Sequence, residues 1–171
     1  MKRVLILPAI LSLCAVTSFA DDLPKRKAGL WEIQVASDKM PATTMKQCVD
    51  EQTDIDIQEM SGQMKEMCSR NELKRTMSGY TMESDCKVGS SRVVSSGTLT
   101  GDFTTSYTMD MKSKYEPPMM GIAGGTTKMT ARHLGACEPG QRPGDMVLPG
   151  GMKMNINDMK GMKHSMPMPK R

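Results

Sequence analysis

Thr105-Ser-Tyr-Thr-Met-Asp-Met-Lys-Ser-Lys-Tyr115 is the stretch whose reading decides the fold. Tyr107, Met109, Met111 and Tyr115 fall on one parity, while Ser106, Thr108, Asp110, Lys112 and Lys114 fall on the other. Alternate side chains of a pleated strand point to opposite faces, so this is a strand with one buried and one wet face. Tyr80–Val88 repeats the pattern, with Tyr80, Met82, Cys86 and Val88 on one side.

Working outward, Leu30–Val35 alternates Trp31, Ile33 and Val35 against Glu32 and Gln34, and Thr43–Val49 follows a turn at Met40-Pro-Ala42. Leu73–Met77, Arg92–Thr100 and Thr126–Leu134 complete the series, and Pro117–Gly125 reads as a mobile loop. Between Cys48 and Cys68 the period changes. Ile57, Met60, Met64 and Met67 recur at helical spacing behind an N-cap at Thr53 or Asp54, which predicts one short amphipathic helix. The expected class is mainly β: a single antiparallel, strongly coiled sheet or partial barrel of about seven strands with one short helix.

Residues 1–20 read as a secretory signal peptide. Lys2 and Arg3 precede the apolar run Val4–Val16, and Ser18-Phe-Ala20 carries small residues where a signal peptidase cuts. The run is too short to span a bilayer, and Leu13 before Cys14 argues against lipid attachment. Cleavage after Ala20 leaves 151 of the 171 residues, enough for one domain with a core. Removing Lys2 and Arg3 from the 23 basic residues leaves 21 against 19 acidic ones, a net charge of +2. That balance argues against a nucleic-acid footprint, which needs a clustered basic face. Short, Lys-rich strands likewise argue against an outer-membrane barrel. The expected location is the periplasm.

Three segments follow from this reading: the signal peptide at 1–20, a disulfide-bonded β domain at 21–137, and a Pro/Gly- and Met/Lys-rich mobile tail at 138–171. Beyond residue 20 the cysteines are even in number, Cys48, Cys68, Cys86 and Cys137, which predicts two disulfides in an oxidising compartment. A four-thiolate zinc site would want close Cys-x-x-Cys pairs, and the sequence has none. Three pairings are open. Simple up-and-down order puts Cys48, Cys68 and Cys86 at one edge and Cys137 at the other, and a last strand brought around by the Pro117–Gly125 loop favours Cys48–Cys68 with Cys86–Cys137.

For catalysis the sequence offers little. His133 is the one candidate base outside the tail, with no nucleophile elbow beside it, and a lone histidine at a strand end is more often a satisfied polar residue. Glu83 and Asp85 share a face, but it is the wet one. The chain is expected to be no enzyme and to need no cofactor. Two binding chemistries stand out instead. Thioether sulfur suits Cu(I) or Ag(I), and the tail carries Met152, Met154, Met159, Met162, His164, Met166 and Met168. A general methionine bias explains the tail equally well, since 19 of the 20 methionines lie beyond residue 20. Alternatively, Trp31, Tyr107, Met109 and Met111 would line an apolar sheet face able to take a small lipophilic ligand, unless that face is ordinary closed core.

The order Gly29-Leu-Trp-Glu-Ile, Met40-Pro, Lys46-Gln-Cys-Val49, Cys68, Tyr80-Thr-Met, Cys86-Lys, Gly101-Asp-Phe, Tyr107-Thr-Met and Leu134-Gly-Ala-Cys137 resembles the small exported proteobacterial family catalogued as domain of unknown function thirty-six seventeen. The resemblance covers nearly all of the chain beyond residue 20 and implies a periplasmic, disulfide-bonded β protein. It implies no activity, ligand or catalytic residue.

Overall fold

The computed structural model describes residues 23–158, of which 60–65 are described by their backbone alone. All seven expected strands are present: β1 (Gly29–Ser37), β2 (Thr43–Val49), β3 (Cys68–Thr76), β4 (Gly79–Val88), β5 (Ser91–Gly101), β6 (Ser106–Met119) and β7 (Ile122–Gly135). Helix α1 (Glu51–Gln63) and a 3-10 turn (Met64–Met67) connect β2 to β3. Two short strands follow, β8 (Asp145–Val147) and β9 (Lys153–Asn155). All nine lie in one open antiparallel sheet, ordered β3-β4-β5-β6-β7-β1-β2-β8-β9. The signal segment at 1–20 lies outside the described residues.

The register puts the predicted parity to use. Leu99 on β5 faces Met109 on β6, Met109 faces Met129 on β7, and Val35 on β1 continues the row. Below it, Tyr107, Ala131 and Ile33 make the next row, and Trp31 lies between Gln47 and His133. Trp31, Ile33, Val49, Leu99, Phe103, Tyr107 and Ala131 form the buried cluster, with Trp31 and Ala131 fully enclosed. Aromatic packing fills it: the Trp31 and Tyr107 rings lie 5.6 Å apart, and Phe103 stacks on Tyr107 at 5.0 Å.

Several local expectations are corrected. The helix is capped by Asp50, whose Oδ1 accepts the Thr53 amide at 2.8 Å, and Thr53 and Asp54 lie inside it. Its buried described side chains are Thr53, Asp54 and Asp56, with Ile57 packed against the core; Met67 is exposed. The side chains of Met60 and Met64 lie outside the described residues. The Pro117–Gly125 loop is instead a hairpin: β6 and β7 continue to the pair Met119↔Ile122 and turn through Met120 (φ 50°) and Gly121 (φ 82°). Two consecutive left-handed residues match the twist of the strands they join. Pro117 and Pro118 are tolerated because β5 pairing ends at Arg92↔Glu116 and β7 pairing is interrupted between Lys114 and Met119, so no ladder donor is missed there. Strands β8 and β9 lie in the segment expected to be a mobile tail, where Asn155 and Ile156 are buried.

The disulfide pairing is also corrected: Cys48 bonds Cys137 and Cys68 bonds Cys86. The preferred Cys48–Cys68 and Cys86–Cys137 pairs assumed that β2 and β3, consecutive in sequence, are neighbours in the sheet. They stand far apart in it. The β1–β2 hairpin docks beside β7, which brings Cys48 to the chain just past β7, and α1 carries the chain to the far edge, where Cys68 faces Cys86 across β3–β4.

The β5–β6 connection is held by one carboxylate. Asp102 Oδ1 accepts the Thr104 amide at 2.7 Å and the Thr105 amide at 2.6 Å, and Oδ2 accepts the Thr105 hydroxyl. This fixes Phe103 at φ 60° with its ring in the core. The Thr105 and Thr104 hydrogen bonds hold the Asp102 carboxyl well below the usual carboxylate range, and Arg70 and Lys74 pull Glu72 down to about 2. A carboxyl depressed in the folded state contributes stability above its unfolded value that is lost as pH falls through the folded one. The urea midpoint is therefore expected to be flat from neutral pH to about 5 and to fall below about 4. Asp102→Asn should blunt that fall; an unchanged acid limb in the variant would refute the assignment.

Candidate functional site

The covered face of the sheet has a closed end and an open end. At the closed end the segment before β1 crosses the face: the Lys27 amide donates to the Phe103 carbonyl at 2.9 Å, and Trp31 Nε1 donates to the Lys27 carbonyl at 2.8 Å. Helix α1 clamps this strap. Arg26 Nε donates to Asp54 Oδ1 at 2.6 Å, the Arg26 amide donates to Asp54 Oδ2 at 2.9 Å, and Arg26 Nη1 donates to Gln47 Oε1 at 3.0 Å. The side chains of the ion pair are 9% and 2% exposed, so these bonds must replace the water both charges have lost. Tyr107 lies beside the pair; burial pushes its hydroxyl up, and Arg26 opposes that.

Away from this clamp, burial of the inward row decreases along each of three strands. It passes from Trp31 and Ile33 to half-buried Val35 on β1, from Tyr107 to Met109, Met111 and Tyr115 on β6, and from Ala131 to Met129 and Thr127 on β7. The side-chain chemistry changes with it. Aromatic and aliphatic residues fill the closed end, and Met45, Met82, Met109 and Met129 pack only against its margin. Beyond them the hydroxyls of Ser95 and Ser113 meet at 2.8 Å across β5–β6. The open end is thus a methionine-floored surface with a few hydroxyls, suited to apolar contact of variable shape.

Of the four residues expected to line an apolar face, Trp31 and Tyr107 are closed core, whereas Met109 and Met111 line the open end. Within the tail, Met152 is exposed and Met154 is half-buried opposite Met146 on β8. Met159, Met162, His164, Met166 and Met168 lie outside the described residues. Among the described residues no group of three His, Cys, Asp or Glu side chains is placed to hold a metal ion. His133 Nε2 lies 3.0 Å from the Ala28 carbonyl, with its ring edge-on to Trp31. Asp85 is paired with Arg92 and Glu83 with Arg70. Arg92 holds the Asp85 carboxyl below its usual range. A depression of about 460 Å³ is walled chiefly by outward-parity residues, including Ser96, Thr98, Asp110, Lys112 and Lys128, with Met111 and Thr127 also at its lining. The Lys128–Asp110 pair closes at 3.4 Å within it. Among the described residues no helix is long and apolar enough to cross a membrane.

Sequence reasoning missed the Arg26–Asp54–Gln47 clamp. Asp54 stands three residues before Ile57, on the face that turns inward, and that spacing was the one signal available. Nothing in the sequence tied it to Arg26.

A family model described as "Protein of unknown function (DUF3617)" matches residues 26–137. The chain belongs to this family. The DUF3617 match begins at Arg26 of the clamp and ends at Cys137 of the long-range disulfide, so β1 to β7 all lie within it. Strands β8 and β9 fall outside the DUF3617 match. No curated protein and no solved structure matches the chain.

Proposed function

We infer that this is an exported, non-enzymatic binding protein of the periplasm that takes a small lipophilic molecule on the open end of its covered face. The carrying observation is the shared direction in which burial decreases on β1, β6 and β7, from Trp31, Tyr107 and Ala131 to half-buried Val35, Met111 and Thr127. A sheet that only needed a core would be covered along its whole inward row, because leaving apolar area in water costs about 25 cal/mol per Å². The methionine floor supports the choice of ligand class, since unbranched thioether side chains adapt to ligands of differing outline. Two disulfides are compatible with an oxidising compartment and supply stability that a methionine-rich interior lacks.

Native mass spectrometry of the protein purified gently from periplasm tests this. Retained non-covalent adducts of lipid mass are expected, and Met111→Lys, which puts a charge on the open floor away from the core cluster, should strip them. A uniformly bare wild-type mass, or adducts indifferent to Met111→Lys, would sink the reading.

A further inference from the structure

The β6–β7 hairpin carries an apolar tip whose turn residue, Met120, is exposed while Met119 and Ile122 are half-buried. Past the last β5 pair, Arg92↔Glu116, the hairpin runs on through an irregularity in the β6–β7 ladder to the pair Met119↔Ile122. Its sequence there, Pro117-Pro-Met-Met-Gly-Ile-Ala123, contains no charge. Met120 at the turn is fully exposed and sits at φ 50°, a conformation that favours Gly, Asn or Asp. A hydrophobic residue is thus held where a polar one would be better both for the backbone and for water. Outliers of that kind cluster at functional sites. Met40 in the β1–β2 turn, Val88 before the β4–β5 turn and Met67 ahead of β3 are exposed at this same end of the sheet. It is the open end of the covered face.

We propose that the Pro117–Ala123 hairpin tip is a docking element that inserts into the surface of a phospholipid bilayer. The size of the patch selects the occupant. A stable protein partner needs about 800 Å² per side of matched surface, far more than one hairpin turn presents. A fluid lipid interface needs no matched shape, only exposed apolar side chains on a rigid support. At the base of the tip Lys114 pairs with Glu116, Lys39 with Asp38 and Arg92 with Asp85, so most of the charge there is balanced locally and the apolar tip carries the attachment. Where the ligand is a lipophile, the tip sets the open end against the bilayer that supplies it; this last point alone rests on the function inferred above.

The test is flotation of the chain from residue 21 onward with vesicles of phosphatidylethanolamine and phosphatidylglycerol. Wild-type protein is expected to float, and to do so also in raised salt, where electrostatic adsorption is screened. Met120→Asn removes the apolar contact and suits the left-handed backbone, so it should melt no lower than wild type while the bound fraction falls roughly tenfold or more. Met120→Trp should raise it. Protein that stays down with vesicles, floats only at low salt, or floats equally well as Met120→Asn overturns the proposal. So does size-exclusion behaviour in which Met120→Asn changes only self-association, since the occupant is then a second copy. Adduct mass on the same samples separates the two readings: adducts without flotation sink this proposal alone, and flotation without adducts sinks only the ligand reading.

Discussion

Trp31→Ala is expected to destabilise the domain by about 3–5 kcal/mol in urea unfolding, as large-to-small changes of fully buried aromatics do. Trp31 is 0% exposed, its ring contacts both Tyr107 and His133, and its indole nitrogen is the donor that ties Lys27 down. Removing it opens a cavity between strap and sheet and leaves the Lys27 carbonyl without that donor. For a domain of this size the melting temperature should fall by roughly 10 °C. Trp31→Phe keeps most of the packing and loses the hydrogen bond, so it should cost much less. Met120→Ala, at the exposed tip, should cost almost nothing. Equal losses for Trp31→Ala and Met120→Ala would mean that the closed end is not the core.

The two disulfides are expected to contribute unequally. Cys48–Cys137 closes a separation of 89 residues and Cys68–Cys86 one of 18. Chain entropy in the unfolded state assigns them about 4–5 and about 3 kcal/mol, respectively. The longer bridge also joins β2 to the chain that follows β7, around β1, whereas the shorter joins neighbours already paired in a ladder. Replacing Cys48 and Cys137 together by alanine should therefore lower the urea midpoint more than replacing Cys68 and Cys86. The opposite order would refute the assignment. A non-reducing peptide map should recover Cys48 linked to Cys137; recovery of a Cys48–Cys68 peptide would return the chain to the pairing that sequence order favoured.

How far each feature was legible depends on whether its cause is local. The parity of Tyr107, Met109 and Met111 was legible because strand geometry is a two-residue property and one face is wet. The β6–β7 hairpin was misread for the opposite reason. Two prolines and three glycines within Pro117–Gly125 look like loop chemistry; the prolines are permitted in β6 because β5 pairing stops at Glu116, Gly121 makes the turn, and Gly124 and Gly125 pair with Lys114 and Ser113. The helix cap was displaced by a few residues, since Asp50, Thr53 and Asp54 can each cap in isolation. Burial of Asp54 could not be read at all, because it depends on Arg26 arriving from 28 residues away.

By itself, then, the sequence determined the β class, the seven main strands, the inward rows of β1, β6 and β7 and the presence of one helix, all consequences of periodicities a few residues long; Met77 and Val88, read as inward, are exposed. Tertiary structure alone decided that β1 docks on β7, that Cys48 therefore meets Cys137, that Trp31 and Tyr107 close one end, and that Met109 and Met111 line the other. Those outcomes turn on which strand edges pair across sixty or more residues of chain, and over such separations loop-closure entropy changes too slowly with length to favour one partner from sequence distance.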